Sequence, residues 1–141
     1  MAYKVFLDIN IVVDFYVASR QHHTAAQQIF EQAELNRIKV YISESVVNTA
    51  AYLLRKDYPV QALKDFFTEM LEIFTVINAG NNTFLKAYRN NIKDMEDAVL
   101  YELAAENKMD FFITNDTTDF KNVNKQILPV ISSAAFIRML S

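Results

Sequence analysis

The sequence predicts an α/β fold in three layers, α/β/α, with a central parallel sheet of about five strands in a single domain over residues 1–141. Three observations predict it. Apolar runs of four or five residues alternate with longer stretches of helical periodicity. The strand-like runs are continuously apolar rather than alternating, as strands covered on both faces require. The length of 141 residues suits one sizeable core.

The elements follow in order. "YKVFL" is a buried strand that ends at Asp8, and a helix runs on from about Ile11. A second helix spans about Thr24 to Leu35, with Ala25, Ala26, Ile29, Phe30 and Ala33 on one face. "KVYI" is the second strand. Ser43 then reads as an N-cap, and Glu44 to Arg55 as a helix with the stripe Val46, Val47, Ala50, Leu53, Leu54. Tyr58-Pro59 breaks it, because proline disfavours a helical residue before it. Val60 to Leu71 is a further helix, "IFTVI" the third strand and "NAGNN" a turn. Short helices lead to a longer one over about Lys93 to Asn107. "DFFIT" and "ILPVI" are the last strands, and "SAAFIRML" closes the chain as a helix.

Composition excludes several chemistries. There is no cysteine, which removes disulfides, thiolate nucleophiles and cysteine-bound zinc. A single glycine, Gly80, rules out glycine-rich phosphate loops. No apolar run reaches the roughly 18 residues of a membrane span, and no signal peptide opens the chain. The expectation is a cytoplasmic protein with no membrane partner. The formal charge of −3 is unusual for a nucleic-acid binder. Removing the four negative charges of Asp8, Asp97, Asp116 and Asp119 from −3 leaves +1, so the total charge decides nothing if those acids share one site.

Asp8 raises the functional question. An acid inside an apolar segment either caps a helix or is delivered by a buried strand to a metal. In open parallel sheets ligands bind beyond the carboxyl ends of the strands, where the winding direction switches. Asp8 follows the first strand, and Thr114-Asn115-Asp116 follows the fourth, so neighbouring strands would bring both acids to one crevice. In "KDMEDAVLYELAAENK", at about 100° per residue, Glu102 and Glu106 mark the solvent face and Asp97 lies about 140–180° away, with the core. Glu96 flanks the same apolar face, and Asp94 is the i,i+3 neighbour of Asp97. Ordinary first-turn acids and turn aspartates are the plain reading of each motif alone. Together they are not ordinary. Two carboxylates about 5 Å apart repel by roughly 3 kcal/mol at an effective dielectric near 20. A marginally stable domain holds several such pairs only with raised pKa values or a hard cation such as Mg²⁺ or Mn²⁺.

"VFLDINIVVDF", "KDMEDAVLYELA" and "FFITNDTTDF", in that order and spacing, resemble a PIN domain, and the resemblance covers the whole chain. It is closest to the bacterial branch that includes VapC-like toxins. It implies a Mg²⁺- or Mn²⁺-dependent ribonuclease with Asp8, Asp97 and Asp116 as metal-binding and catalytic acids and Asp119 as a supporting one. Asn10 matches the asparagine of the usual D-T-N start, and Thr114 the threonine that orients the site. Two positions depart from the pattern. Ile9 stands where a hydroxyl is usual, and Asn48 where the second acid is usual, with Glu44, one turn earlier, or Glu96 as substitutes. The resemblance also implies a single-stranded RNA substrate, a homodimer and a small antitoxin protein as partner. The alternatives are a catalytically impaired PIN-like module that binds RNA or protein, favoured by Asn48, and another phosphoryl-transfer enzyme such as a phosphatase, disfavoured by the absence of a D-x-D start. Arg55 reads as a helix-end cation with a secondary claim to phosphate, Asp14 as a surface acid of the first helix, and His22-His23 as a polar stretch without a metal role.

Overall fold

A computed structural model describes residues 2–121, 123 and 127–141. Five parallel strands form one sheet: β1 (Tyr3–Leu7), β2 (Ile38–Ser43), β3 (Thr75–Ile77), β4 (Phe111–Ile113) and β5 (Val130–Ile131), in the spatial order β3-β2-β1-β4-β5. β1 is the middle strand, and the winding direction reverses between it and β4. Val5, Phe6 and Leu7 have no exposed surface, which explains why this strand is apolar without alternation.

Among the described residues seven α-helices cover the sheet: α1 (Ile9–Tyr16), α2 (His23–Glu34), α3 (Glu44–Leu54), α4 (Val60–Ile73), α5 (Asn81–Ala87), α6 (Met95–Glu106) and α7 (Ser133–Leu140). The main helix packing joins α1 to α2 and α3, α3 to α4 and α2 to α7, while α5 packs with α6. Right-handed crossovers put these two groups on opposite faces, giving three layers. Ser43 caps α3 by accepting from the Val46 N–H at 3.1 Å, and Ser132 caps α7 through the Ala135 N–H at 3.2 Å. The expected turn at Asn78–Asn82 is shorter than its composition suggests, because Asn81 and Asn82 already belong to α5.

The expectation that Glu102 and Glu106 face solvent holds for exposed Glu106 and in part for half-buried Glu102, but both acids also have protein partners. α5 lies against that side of α6. Glu102 accepts from Asn90 Nδ2 at 3.0 Å, and Glu106 accepts from the Thr83 hydroxyl at 2.8 Å. α6 is therefore flanked by the sheet on one side and by α5 on another, with its acids satisfied by polar partners at the α5 seam.

Candidate active site

β1 and β4 pair with Leu7 opposite Ile113, so Asp8 and Thr114 leave the same edge of the sheet side by side. The Asp8 N–H donates to the Ile113 carbonyl at 3.0 Å, extending the ladder by one residue. The helix-cap explanation holds, and the buried strand also carries the acid to the edge where the other acids gather. One carboxylate oxygen, Oδ1, caps α1 by accepting from the Ile9 N–H at 2.7 Å. The other, Oδ2, accepts from the Thr114 hydroxyl at 3.0 Å. A carboxylate has about four acceptor sites, so two good hydrogen bonds still leave it able to receive a cation.

Thr114 is fully buried and serves two acids. Its oxygen also accepts from the Asp116 N–H at 3.1 Å, which bends the chain after β4. Asp116 in turn accepts from the Thr118 hydroxyl at 3.0 Å, and a short 3₁₀ turn, Thr117–Phe120, carries Asp119. From the other layer comes the start of α6. Asp94 is its N-cap and accepts from the Asp97 N–H at 2.9 Å, which fixes the first turn bearing Glu96 and Asp97.

These segments enclose a pocket of about 240 Å³ lined by Asp8, Ile9, Asn10, Asp94, Glu96, Asp97, Asp116 and Asp119. Within it, one carboxylate oxygen from each of Asp97, Asp116 and Asp119 lies within 4.8 Å of the others. Asp8 forms the more buried wall behind this trio. The donor set is all oxygen, which suits a hard divalent cation.

Electrostatics show how tightly the acids are gathered. Burial, reinforced by Asp8, Asp94, Asp119 and Asp116, pushes Asp97 up to about 7. Burial also pushes Asp8 up to about 6, against the opposing hydrogen bonds from Thr114 and Ile9, with Glu96 and Asp116 adding to the rise. Glu96 is raised by burial and by Asp94. Asp119 is raised by a side-chain hydrogen bond with Asp116 and by that acid's charge. Burial is the first cause at Asp8, Asp97 and Glu96, and the neighbouring like charges add to it.

The remaining candidates lie around this centre. Glu44 and Asn48 line an adjoining pocket of about 420 Å³ together with Phe84, Met95 and Glu96. Glu96 is the acid shared by the two pockets. Arg55 lines neither; its guanidinium stacks 3.8 Å from the Tyr52 ring and donates to the Tyr52 carbonyl at 3.0 Å. Asn10, at the rim, accepts from Arg20 Nη2 at 3.4 Å. Asp14 is not a surface acid but 2 % exposed, and Arg20 Nε binds it at 2.6 Å. Asn115, between Thr114 and Asp116, donates to Asp14 at 3.5 Å. The Asp14–Arg20 pair was missed in the sequence. The signal for Asp14 was its i,i+4 relation to Asn10 on one face of α1.

The sequence profile of the PIN domain family matches residues 4–118. Ribonuclease VapC1 of Aquifex aeolicus is 30% identical over 118 residues, covering 80% of this chain and 81% of its own. Among solved structures, a toxin–antitoxin complex from Klebsiella pneumoniae superposes with a TM-score of 0.68 at 20% identity, covering 92% of this chain and 97% of the other. VapC20 of Mycobacterium tuberculosis, a toxin that cleaves the sarcin–ricin loop, superposes with a TM-score of 0.65 at 14% identity, covering 84% and 96%. The profile takes in β1, α6 and β4, the three segments that deliver the acids, and the solved structures share the fold over most of the chain: the chain belongs to the PIN domain family.

Proposed function

We propose that this chain is a metal-dependent ribonuclease that hydrolyses RNA phosphodiester bonds as the toxin of a toxin–antitoxin pair. The observation that carries the reading is the convergence of Asp8, Asp97, Asp116 and Asp119 at the carboxyl edge of the sheet, at the point where its winding reverses. Its kinship to a protein named as a ribonuclease gives that geometry its reaction. In this reading residues 1–141 work as one PIN domain in the cytoplasm. Among the described residues no helix is long and apolar enough to cross a membrane. The partners are single-stranded RNA, an antitoxin protein and a second copy of the chain.

Asp97, Asp116 and Asp119 would hold Mg²⁺ or Mn²⁺, with Asp8 as the buried fourth acid. A bound ion supplies a water of lowered pKa and positive charge beside the phosphate. The chain's own residues do the positioning. The Thr114 hydroxyl orients Asp8 and, by accepting from the Asp116 N–H, sets the turn that presents Asp116. Asp94 locks the backbone of Asp97, so that acid enters the pocket on a fixed helical turn. Glu96 takes the place of the missing second acid, because it lines the acidic pocket and Asn48 does not.

The test is cleavage of mixed single-stranded RNAs with Mn²⁺, with and without chelator, for the parent and for Asp116→Asn. Cutting that needs the metal and Asp116 supports the reading. Ile9 and Asn48 favour a second one, a PIN module that binds RNA or protein without cutting, and RNA binding with no cleavage in Mn²⁺ or Mg²⁺ would select it.

A further inference from the structure

Beside the acidic pocket lies a second polar pocket of about 270 Å³, lined by Asn10, Asp14, Arg20, His22, Asn115 and Asp116. Two of these residues, Asn10 and Asp116, also line the acidic pocket, so the two cavities share that wall. We infer that Arg20 binds a phosphate of the RNA strand next to the one being cleaved, and that buried Asp14 exists to hold the guanidinium in place for it.

Three features carry this assignment, which rests on the ribonuclease reading. First, the cation is anchored. Its Nε donates at 2.6 Å to Asp14, whose side chain is 3% exposed, while the arginine side chain itself is 40% exposed. A buried acid beneath a half-exposed arginine fixes the head group and leaves its outer edge to solvent. Second, donors remain. A guanidinium carries five N–H bonds, and Asp14 and Asn10 take one each. The others have no protein acceptor among the described residues, and this fork matches the geometry of phosphate oxygens. Third, the position is electrostatically useful. The acidic pocket is lined by six carboxylates, Asp8, Asp94, Glu96, Asp97, Asp116 and Asp119, and these repel a polyanion arriving along the same edge. Arg20 is the cation of the adjoining pocket, and it sits one wall away, where the next phosphate of a strand crossing Asp116 would lie.

A purely structural role would use the same ion pair to tie the segment before α2 onto α1. The two roles differ in salt dependence. Each phosphate neutralised on a single strand contributes about 0.7 to the slope of log affinity against log salt. The probe is a short fluorescent single-stranded RNA of mixed sequence, titrated in Mn²⁺ against an Asp8→Asn background that binds without cutting. Adding Arg20→Gln should lower the slope by about 0.7 and weaken binding roughly tenfold at low salt, while Arg20→Lys should keep the slope. In the cutting parent, Arg20→Gln should raise KM with little change in kcat. Because Arg20→Gln leaves Asp14 buried without its cation, the double change Asp14→Asn, Arg20→Gln removes both charges together. It should fold and still show the lowered slope. A double variant that binds RNA with the parent's affinity and slope makes Arg20 structural and overturns the inference. A parent that cuts RNA while every Arg20 variant matches it removes this inference alone. A parent that neither binds nor cuts RNA removes the ribonuclease reading and this inference with it.

Discussion

Asp8 accepts one hydrogen bond on each oxygen and lies 4 % exposed, so its charge, more than its shape, is what burial disfavours. Asp8→Asn keeps an oxygen to cap α1 and turns an amide toward Thr114, whose hydroxyl can accept as well as donate. The expected result is a metal-free melting temperature equal to or above the parent's, with RNA cleavage lost. A variant that cut at the parental rate would point to a contaminating nuclease. Thr114→Val has the opposite profile. It preserves volume but leaves the Asp116 N–H without its acceptor and Asp8 with one partner fewer. Denaturant unfolding should show a loss of about 1–3 kcal/mol. The site residues legible in the sequence are those whose position follows from local periodicity: Asp8 at a strand end, Asp97 on the inward side of a helix, Thr114 and Asp116 after an apolar strand. The Asp14–Arg20 pair was not legible, because six residues and a turn separate its members and only the path of that turn brings them to 2.6 Å.

The strands and helices were readable for similar reasons, and their failures are tertiary. β3 and β5, the edge strands, are short at three and two residues, and interior β4 is also only three residues long, so strand length does not follow from the apolar runs alone. The polar face of α6 is a solvent face at Glu106 and a half-buried one at Glu102, and helical periodicity cannot show that the amide of Asn90 and the hydroxyl of Thr83 also reach these acids. The first turn of α6 matters most for function, since it brings Asp94, Glu96 and Asp97 to one pocket. Its acids differ in task. Asp94→Asn keeps an N-cap oxygen for the Asp97 N–H and removes one repelling charge, so the fold should hold and the Asp97 pKa should fall. An Asp97 carboxyl titration by NMR that did not move would contradict the charge coupling. Glu96 and Asn48 can be set against each other directly. Glu96→Gln should loosen Mn²⁺ by roughly tenfold or more, whereas Asn48→Glu should gain little, because its side chain lines the adjoining pocket and adds repulsion on Glu96. Isothermal titration with Mn²⁺ decides. Tight binding restored by Asn48→Glu, with no loss in Glu96→Gln, would return the second-acid role to position 48.

At the scale of the whole molecule, the acid cluster links stability to pH and metal. Asp97 is raised to about 7 and Asp8 to about 6, against the ordinary 3.8 that an unfolded chain restores. The folded chain therefore holds protons that the unfolded chain releases over about pH 4 to 7. Stability from these groups is full below about pH 4 and is lost as pH rises through 7. Burial is the largest cause at both positions, so moderate salt should soften this slope without abolishing it. On the proposed reading a divalent cation should reverse the sign. It binds the ionised carboxylates, so its affinity climbs across the same interval in which the metal-free protein weakens. At about 100 times its dissociation constant, Mn²⁺ adds about 2.7 kcal/mol, or roughly 5–10 °C in melting temperature for a chain of this size. Melting curves between about pH 5 and 8 should therefore diverge: falling with pH in chelator, and level or rising in Mn²⁺, with the gap widest above pH 7. In the Asp97→Asn variant both the fall and the metal-induced gap should shrink, since one residue contributes to each. Parallel curves with and without Mn²⁺ would mean that the acids are gathered for some purpose other than a cation. A gap that survived Asp97→Asn unchanged would move the ion away from the helix and onto Asp116 and Asp119 alone.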